Sequence, residues 1–169
     1  AWADAAGGIS GLDGLVENNS IWLGNDPSST TSTAEQNVAL GTTALDAITT
    51  GDYNSAIGYN ALTANTIGFS NVAVGAGALA VVTTAGQNTC IGANSCDAGD
   101  GSYNSAVGFN TLTASTTGHS NTAMGNTSSV AITTGYRNVA MGMNSAQSMT
   151  EGYENVCLGS NAGISMTTG

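Results

Sequence analysis

Lysine is absent from this chain, and arginine occurs once, at Arg137, against eleven Asp plus Glu. A formal charge of −10 excludes nucleic acid as a partner, because nothing here can displace counterions from phosphates. It also disfavours an anionic membrane surface. No apolar run approaches the eighteen residues that a membrane-spanning helix needs, so membrane insertion is not expected. Charge of either sign is scarce, at 7% of residues, and the polar surface falls instead to Asn, Ser and Thr. Proline occurs once, at Pro27, while glycine is abundant at 24 residues. With aliphatic residues evenly spread, that profile suits a regular, turn-rich β structure rather than disorder.

Cysteine is sparse as well. Cys90, Cys96 and Cys157 are too few and too irregular for a disulfide framework or a zinc site. The opening "AWADAAGGISG" lacks the basic stretch of a secretory signal. The sequence stops in mid-pattern at "SMTTG", which suggests the ordered part of a longer chain.

What the chain does have is repetition. Thirteen of the twenty residues from Asp52 to Asn71 recur unchanged fifty residues later. Aligned on N-x-A-φ-G, with φ a large aliphatic, turns begin at Ser20, Asn37, Asn54, Asn71, Asn88, Asn104, Asn121, Asn138 and Asn155. The spacing is seventeen residues throughout, except for sixteen between Asn88 and Asn104. Position five is Gly in all nine turns, and position four is always Leu, Ile, Val or Met. Position three is Ala in six turns, Cys in two (Cys90, Cys157) and Trp at Trp22. Position nine holds Leu45, Leu62, Leu79 and Leu112, with Cys96 in the short turn; position thirteen is Thr in seven turns. Such periodicity defines a repeat architecture before any secondary structure is assigned.

The expected fold is all-β: a parallel β-solenoid, or β-roll, of about nine seventeen-residue turns over residues 20–169, preceded by a leader over residues 1–19. N-x-A-φ makes a short strand ended by the glycine corner, A-L a second strand, and T-T-G the return turn. Stacked turns place the Asn residues in a ladder whose amides pair rung to rung. Positions four and nine are expected to face a common core. Position three then lies on the opposite strand face and is held small, for one of two reasons. Either a partner chain packs closely on it, the favoured reading because one apolar core of this size is weak, or Ala fits a narrow interior.

Repeats of the form N-x-A-φ-G-x-x-A-L-x-x-x-T-T-G resemble those of phage and viral tail-fibre proteins. They are also similar to the shorter head repeats of trimeric autotransporter adhesins, and the leader "ISGLDGLVENNSIWLGNDPSS" resembles the fibre sequences. The likeness runs from Ile9 to Gly169. It implies a left-handed, homotrimeric roll in an extracellular location, on a virion tail fibre or spike or on a cell surface. The partners implied are other copies, other virion or fibre components, and a host-surface glycan or protein receptor. A bacterial adhesin or extracellular filament is the alternative, and an ice-binding solenoid with a Thr face is a remote one.

Catalysis needs clustered chemistry. The single histidine, His119, stands in a variable column where other turns carry Asp52, Phe69, Tyr136 and Tyr153. No serine is paired with it, so neither an enzyme nor a cofactor is expected. Asp97 and Asp100 in "CDAGDG" offer carboxylates to a calcium ion, but they lack the repeated Asp of calcium-binding rolls, so a surface turn is favoured and no metal is expected. Cys90 and Cys96 suit either a local disulfide or buried thiols. The aromatic residues Tyr53, Phe69, Tyr103, Tyr136 and Tyr153, shortly before the Asn, and Tyr59 and Phe109, just after the Gly, are with His119 the candidate recognition residues. Exposed rings stack on sugars; they also pack ladder on ladder or seal seams, and the second reading is favoured.

Overall fold

The computed structural model describes residues 14–24 and 33–169; the first thirteen residues of the expected leader lie outside that range. Its strands form a single ten-stranded sheet in strict sequence order. A hairpin opens it: β1 (Gly14–Glu17) pairs antiparallel with β2 (Ser20–Leu23). The reversal is made by Asn18 and Asn19, both at positive φ, the conformation that a two-residue hairpin turn requires and that Asn tolerates. Eight parallel partners follow: β3 (Val38–Leu40), β4 (Ser55–Ile57), β5 (Val72–Val74), β6 (Thr89–Ile91), β7 (Ser105–Val107), β8 (Thr122–Met124), β9 (Val139–Met141) and β10 (Val156–Leu158). The register advances seventeen residues at each step, as in Ile21↔Val38 and Val38↔Ser55, and sixteen at Thr89↔Ser105. The chain is therefore the β-solenoid that its period predicts.

The glycine at position five is dictated by backbone stacking. Gly58 lies at φ +136°, and a Cβ there would stand 2.6 Å from the carbonyl oxygen of Gly75 directly above it. Both the conformation and the space exclude any other residue. Three further columns turn at left-handed φ mostly with residues other than glycine. Position seven does so with Asn60, Asn94 and Asn110, position nine with Leu45, Leu62 and Leu79, and position seventeen with Tyr53 and Tyr103. Such corners are why the A-L segment is not the second strand that was expected. It is a run of turns, tied to the next coil by bonds such as Leu45 N–H to the Ala61 carbonyl (3.0 Å) and Thr49 N–H to the Thr66 carbonyl (2.9 Å).

The asparagine ladder is present and buried. Asn37 Oδ1 accepts from both the backbone N–H (2.8 Å) and the Nδ2 (3.1 Å) of Asn54, and Asn54 Oδ1 does the same for Asn71. The Nδ2 groups of Asn37, Asn54, Asn71, Asn104, Asn121 and Asn138 also close their own coils, as Asn54 does on the Gly68 carbonyl at 2.9 Å. In the first coil Ser20 takes the asparagine's place and receives the Asn37 N–H at 2.9 Å.

The core corrects the expected facing of the strands. Position three is the interior: Ala39, Ala56, Ala73, Ala106, Ala123 and Ala140 are buried, as are Trp22, Cys90 and Cys157. Position four faces outward, with Leu40 45% and Met141 39% exposed. Side chains alternate along a strand, so the face that buries the asparagine at position one must bury position three. The interior is narrow, and Ala is what fits on its strand wall. Its bulk comes from the opposite wall, where position nine is joined by a column that the sequence did not announce. Position twelve carries Ile48, Asn65, Val82, Ser115, Ile132 and Met149, all buried.

Candidate functional site

The eight candidate aromatic and histidine residues fall into two groups. Tyr53 and Tyr59 bracket β4, and Tyr103 and Phe109 bracket β7; all four are exposed. Their columns flank positions two and four, so they rim the outward strand face. Phe69, His119, Tyr136 and Tyr153 belong instead to position sixteen, on the coil's far corner.

In that second group the structure brings three rings together. His119 stacks on Tyr136 at 5.2 Å between centroids with planes 4° apart, and Tyr136 stacks on Tyr153 at 5.4 Å and 9°. The rings repeat along the rung direction, so each face of Tyr136 is covered by a neighbour and only its edge meets solvent. A sugar cannot lie flat on it. The Arg137 guanidinium stands 5.7 Å from the Tyr136 ring centroid, beside the stack, and forms an ion pair with Glu154 at 2.9 Å, both side chains being more than half exposed. Phe69 lies apart from this stack. Its ring covers Gly86, where an added Cβ would approach it to 3.1 Å. The ladder-packing alternative therefore describes position sixteen.

The short turn is a second focus. Cys90 and Cys96 form a disulfide with a Cα–Cα distance of 6.2 Å, while Cys157 is a buried free thiol. In this sixteen-residue turn the buried bridge ties the strand wall, at Cys90, to position nine of the opposite wall, at Cys96. Asp100 stands where other turns place Thr. Its carboxylate accepts from the Thr83 hydroxyl (2.6 Å) and from the backbone N–H groups of Thr83 (2.6 Å), Thr84 (2.9 Å) and Ala85 (3.4 Å). Partial burial opposes its charge, but these donors outweigh that effect and hold the carboxyl below its usual range. Asp97 is the reverse case, pushed up by burial, with only a weaker opposing bond from the Ala80 backbone. Asp100's oxygens are thus committed to its own fold. Among the described residues no group of three His, Cys, Asp or Glu could hold a metal ion.

The threonine column is likewise engaged. The hydroxyls of Thr49, Thr66, Thr116, Thr133 and Thr150 each donate to the backbone carbonyl of the matching residue one turn on, at 2.9–3.2 Å.

The surface not foreseen is the strand face itself. Leu40, Ile57, Ile91, Val107, Met124, Met141 and Leu158 at position four, with Ile21, Val38 and Val156 at position two, are all exposed. No charged residue occupies position two, four or six in any of the nine turns. The strict alternation with a buried Asn–Ala pair was the available signal. No helix among the described residues is long and apolar enough to cross a membrane. The chain matches no family model, and neither a curated protein nor a solved structure matches it.

Proposed function

We propose that the chain is a structural, non-enzymatic shaft or receptor-facing segment of a trimeric viral or phage tail fibre or spike, serving host attachment. The observation that carries this reading is the uncharged apolar stripe along all nine parallel strands. With the rings that rim it, the stripe offers on the order of 1,000 Å², well above the ~300–600 Å² of the largest patch on a typical monomer. It is comparable to the ~800 Å² that each partner contributes to a standard interface. A chain of charge −10 meets copies of itself most readily where charge is absent, and no carboxylate stands at position two, four or six, although Glu154 pairs with Arg137 in the rim column at position seventeen. Nine rungs at the usual strand spacing make a rod of about 40 Å.

Association therefore runs through positions two, four and six, and the Ala column is spent inside each coil. Position sixteen, with its His119–Tyr136–Tyr153 stack, stays outward, where a host-surface glycan or protein receptor would meet ring edges and the Arg137–Glu154 pair. Multi-angle light scattering on the purified chain is expected to give three copies per particle. A stable monomer in native buffer rules the reading out.

A further inference from the structure

The strand face fits a second copy of this chain, but over most of its length it does not say at what height that copy sits. Positions two and four carry aliphatic side chains, Ser or Thr in every turn, and a one-rung slide exchanges Leu for Ile or Val for Met. Register is weakly specified wherever successive rungs look alike. Two rungs break the degeneracy. β4 lies between Tyr53 and Tyr59, and β7 between Tyr103 and Phe109, and in both the residue at position two is small, Ser55 or Ser105. Elsewhere position six is Thr42, Ala76, Ala93, Asn126, Met143 or Ser160 among the described rungs.

We propose that these two aromatic rungs are the axial register key of a seam between parallel copies of the chain, holding equivalent rungs at one height. This rests on the shaft reading above. The four rings are 49–61% exposed, and they are the only aromatic side chains at positions six and seventeen of the described rungs. In register, both aromatic rungs of one copy meet their equivalents, and rings gain from meeting rings beyond the area they bury. A slide of one or two rungs sets every ring against a non-aromatic rung. A slide of three rungs, the fifty residues of the internal duplication, restores only one match and uncovers three rungs at each end. An antiparallel pair would also match β4 with β7, but copies arranged cyclically about a fibre axis all run the same way.

The test co-expresses three chains, each with one new cysteine: Ser55→Cys, Val72→Cys and Ser105→Cys. All carry Cys157→Ala, the residue that position three has in six turns, and keep the Cys90–Cys96 bridge. Assemblies are treated with bismaleimides of graded length, and the links are mapped by mass spectrometry. With the shortest spacer that links, 55–55, 72–72 and 105–105 products are expected to exceed 55–72 and 55–105 products at least tenfold. Substituting Tyr53, Tyr59, Tyr103 and Phe109 together by Ala is expected to leave the particle mass unchanged while 55–72 links rise to match 55–55. Abundant 55–105 links in the parent, or no link at any length, overturn the proposal. So does strict rung matching in the ring-free variant, or its loss of association. A monomeric parent by light scattering sinks the shaft reading itself, a result separate from all of these.

Discussion

The coils before the short turn and those after it solve the same packing problem in opposite ways. Before it, position nine carries the bulk, as Leu45, Leu62 and Leu79, over Ala at position eight. After it the load migrates: Leu112 is followed by Ser129, Ala146 and Gly163, while position twelve grows from Ser115 to Ile132, Met149 and Met166. Position eight becomes polar as well, and Ser128 and Ser145 donate to the carbonyls of Ala140 (3.1 Å) and Cys157 (2.8 Å) on the facing strand wall. At Gly163 the exchange is complete, since a Cβ there would stand 2.6 Å from Cys157 Sγ and 3.0 Å from Met166 Sδ. In most coils the interior admits one large side chain from this wall, at either of two positions three residues apart. The second coil, with Leu45 and Ile48, and the fourth, with Leu79 and Val82, have room for two.

Removing the large member is the most damaging way to break the comparison. Leu62→Ala in the first region and Met149→Ala in the second should each cost about 2–5 kcal/mol in urea unfolding, because the rigid ladders prevent the space from collapsing. Comparable losses would show that the two solutions are equivalent. Breaking the asparagine ladder comes next. Asn71→Ala strands the buried Asn88 N–H and the Ala85 carbonyl, and it should cost about 3 kcal/mol by the same measurement. Overfilling is milder and more discriminating. Ser129→Leu alone should destabilise by about 1–3 kcal/mol through crowding against Ile132, and Ile132→Ser should restore most of that loss in the double variant. Failure of the rescue would show that the two columns do not share one space.

At the boundary between the regions, replacing Cys90 and Cys96 together by Ala should cost about 2 kcal/mol, the effect of opening so short a loop. Smallest is the acid response of the same turn. Asp100's folded pKa is depressed, so its contribution is fully present above the unfolded value, near 3.9, and fades as pH falls through the lower folded value. Asp97 is raised and has the opposite sign, so it relieves the fold as it protonates. In thermal melts the stability advantage of the parent over Asp100→Asn should be widest near neutrality and should narrow as pH drops below about 4.

Period, glycine corner and asparagine ladder were legible because each depends on a backbone constraint that recurs unchanged. The facing of the strand was not. Large aliphatics at position four read as a core, yet Asn54 and Ala56 share a parity that Ile57 does not, and the buried ladder already fixed which side is inside. Position twelve was invisible for another reason: Ile, Asn, Val, Ser and Met share no chemistry, only complementarity to position nine. Of the candidate surface, the ring positions were legible from sequence. Which rings stack, and which rim the outward strand face, depended on the direction each corner takes.

The asparagine ladder has one more property. From Asn37 to Asn138 every side-chain carbonyl accepts from the following rung, so these amides all point the same way. Hydrogen bonds in such a chain polarise one another, and in a dry interior their dipoles add rather than cancel. The rod therefore has an electrical direction as well as a chain direction, with carbonyl oxygens leading toward β10. Any copies that bundle in parallel would set such columns side by side with the same sense, each carrying its polarity inside its own coil.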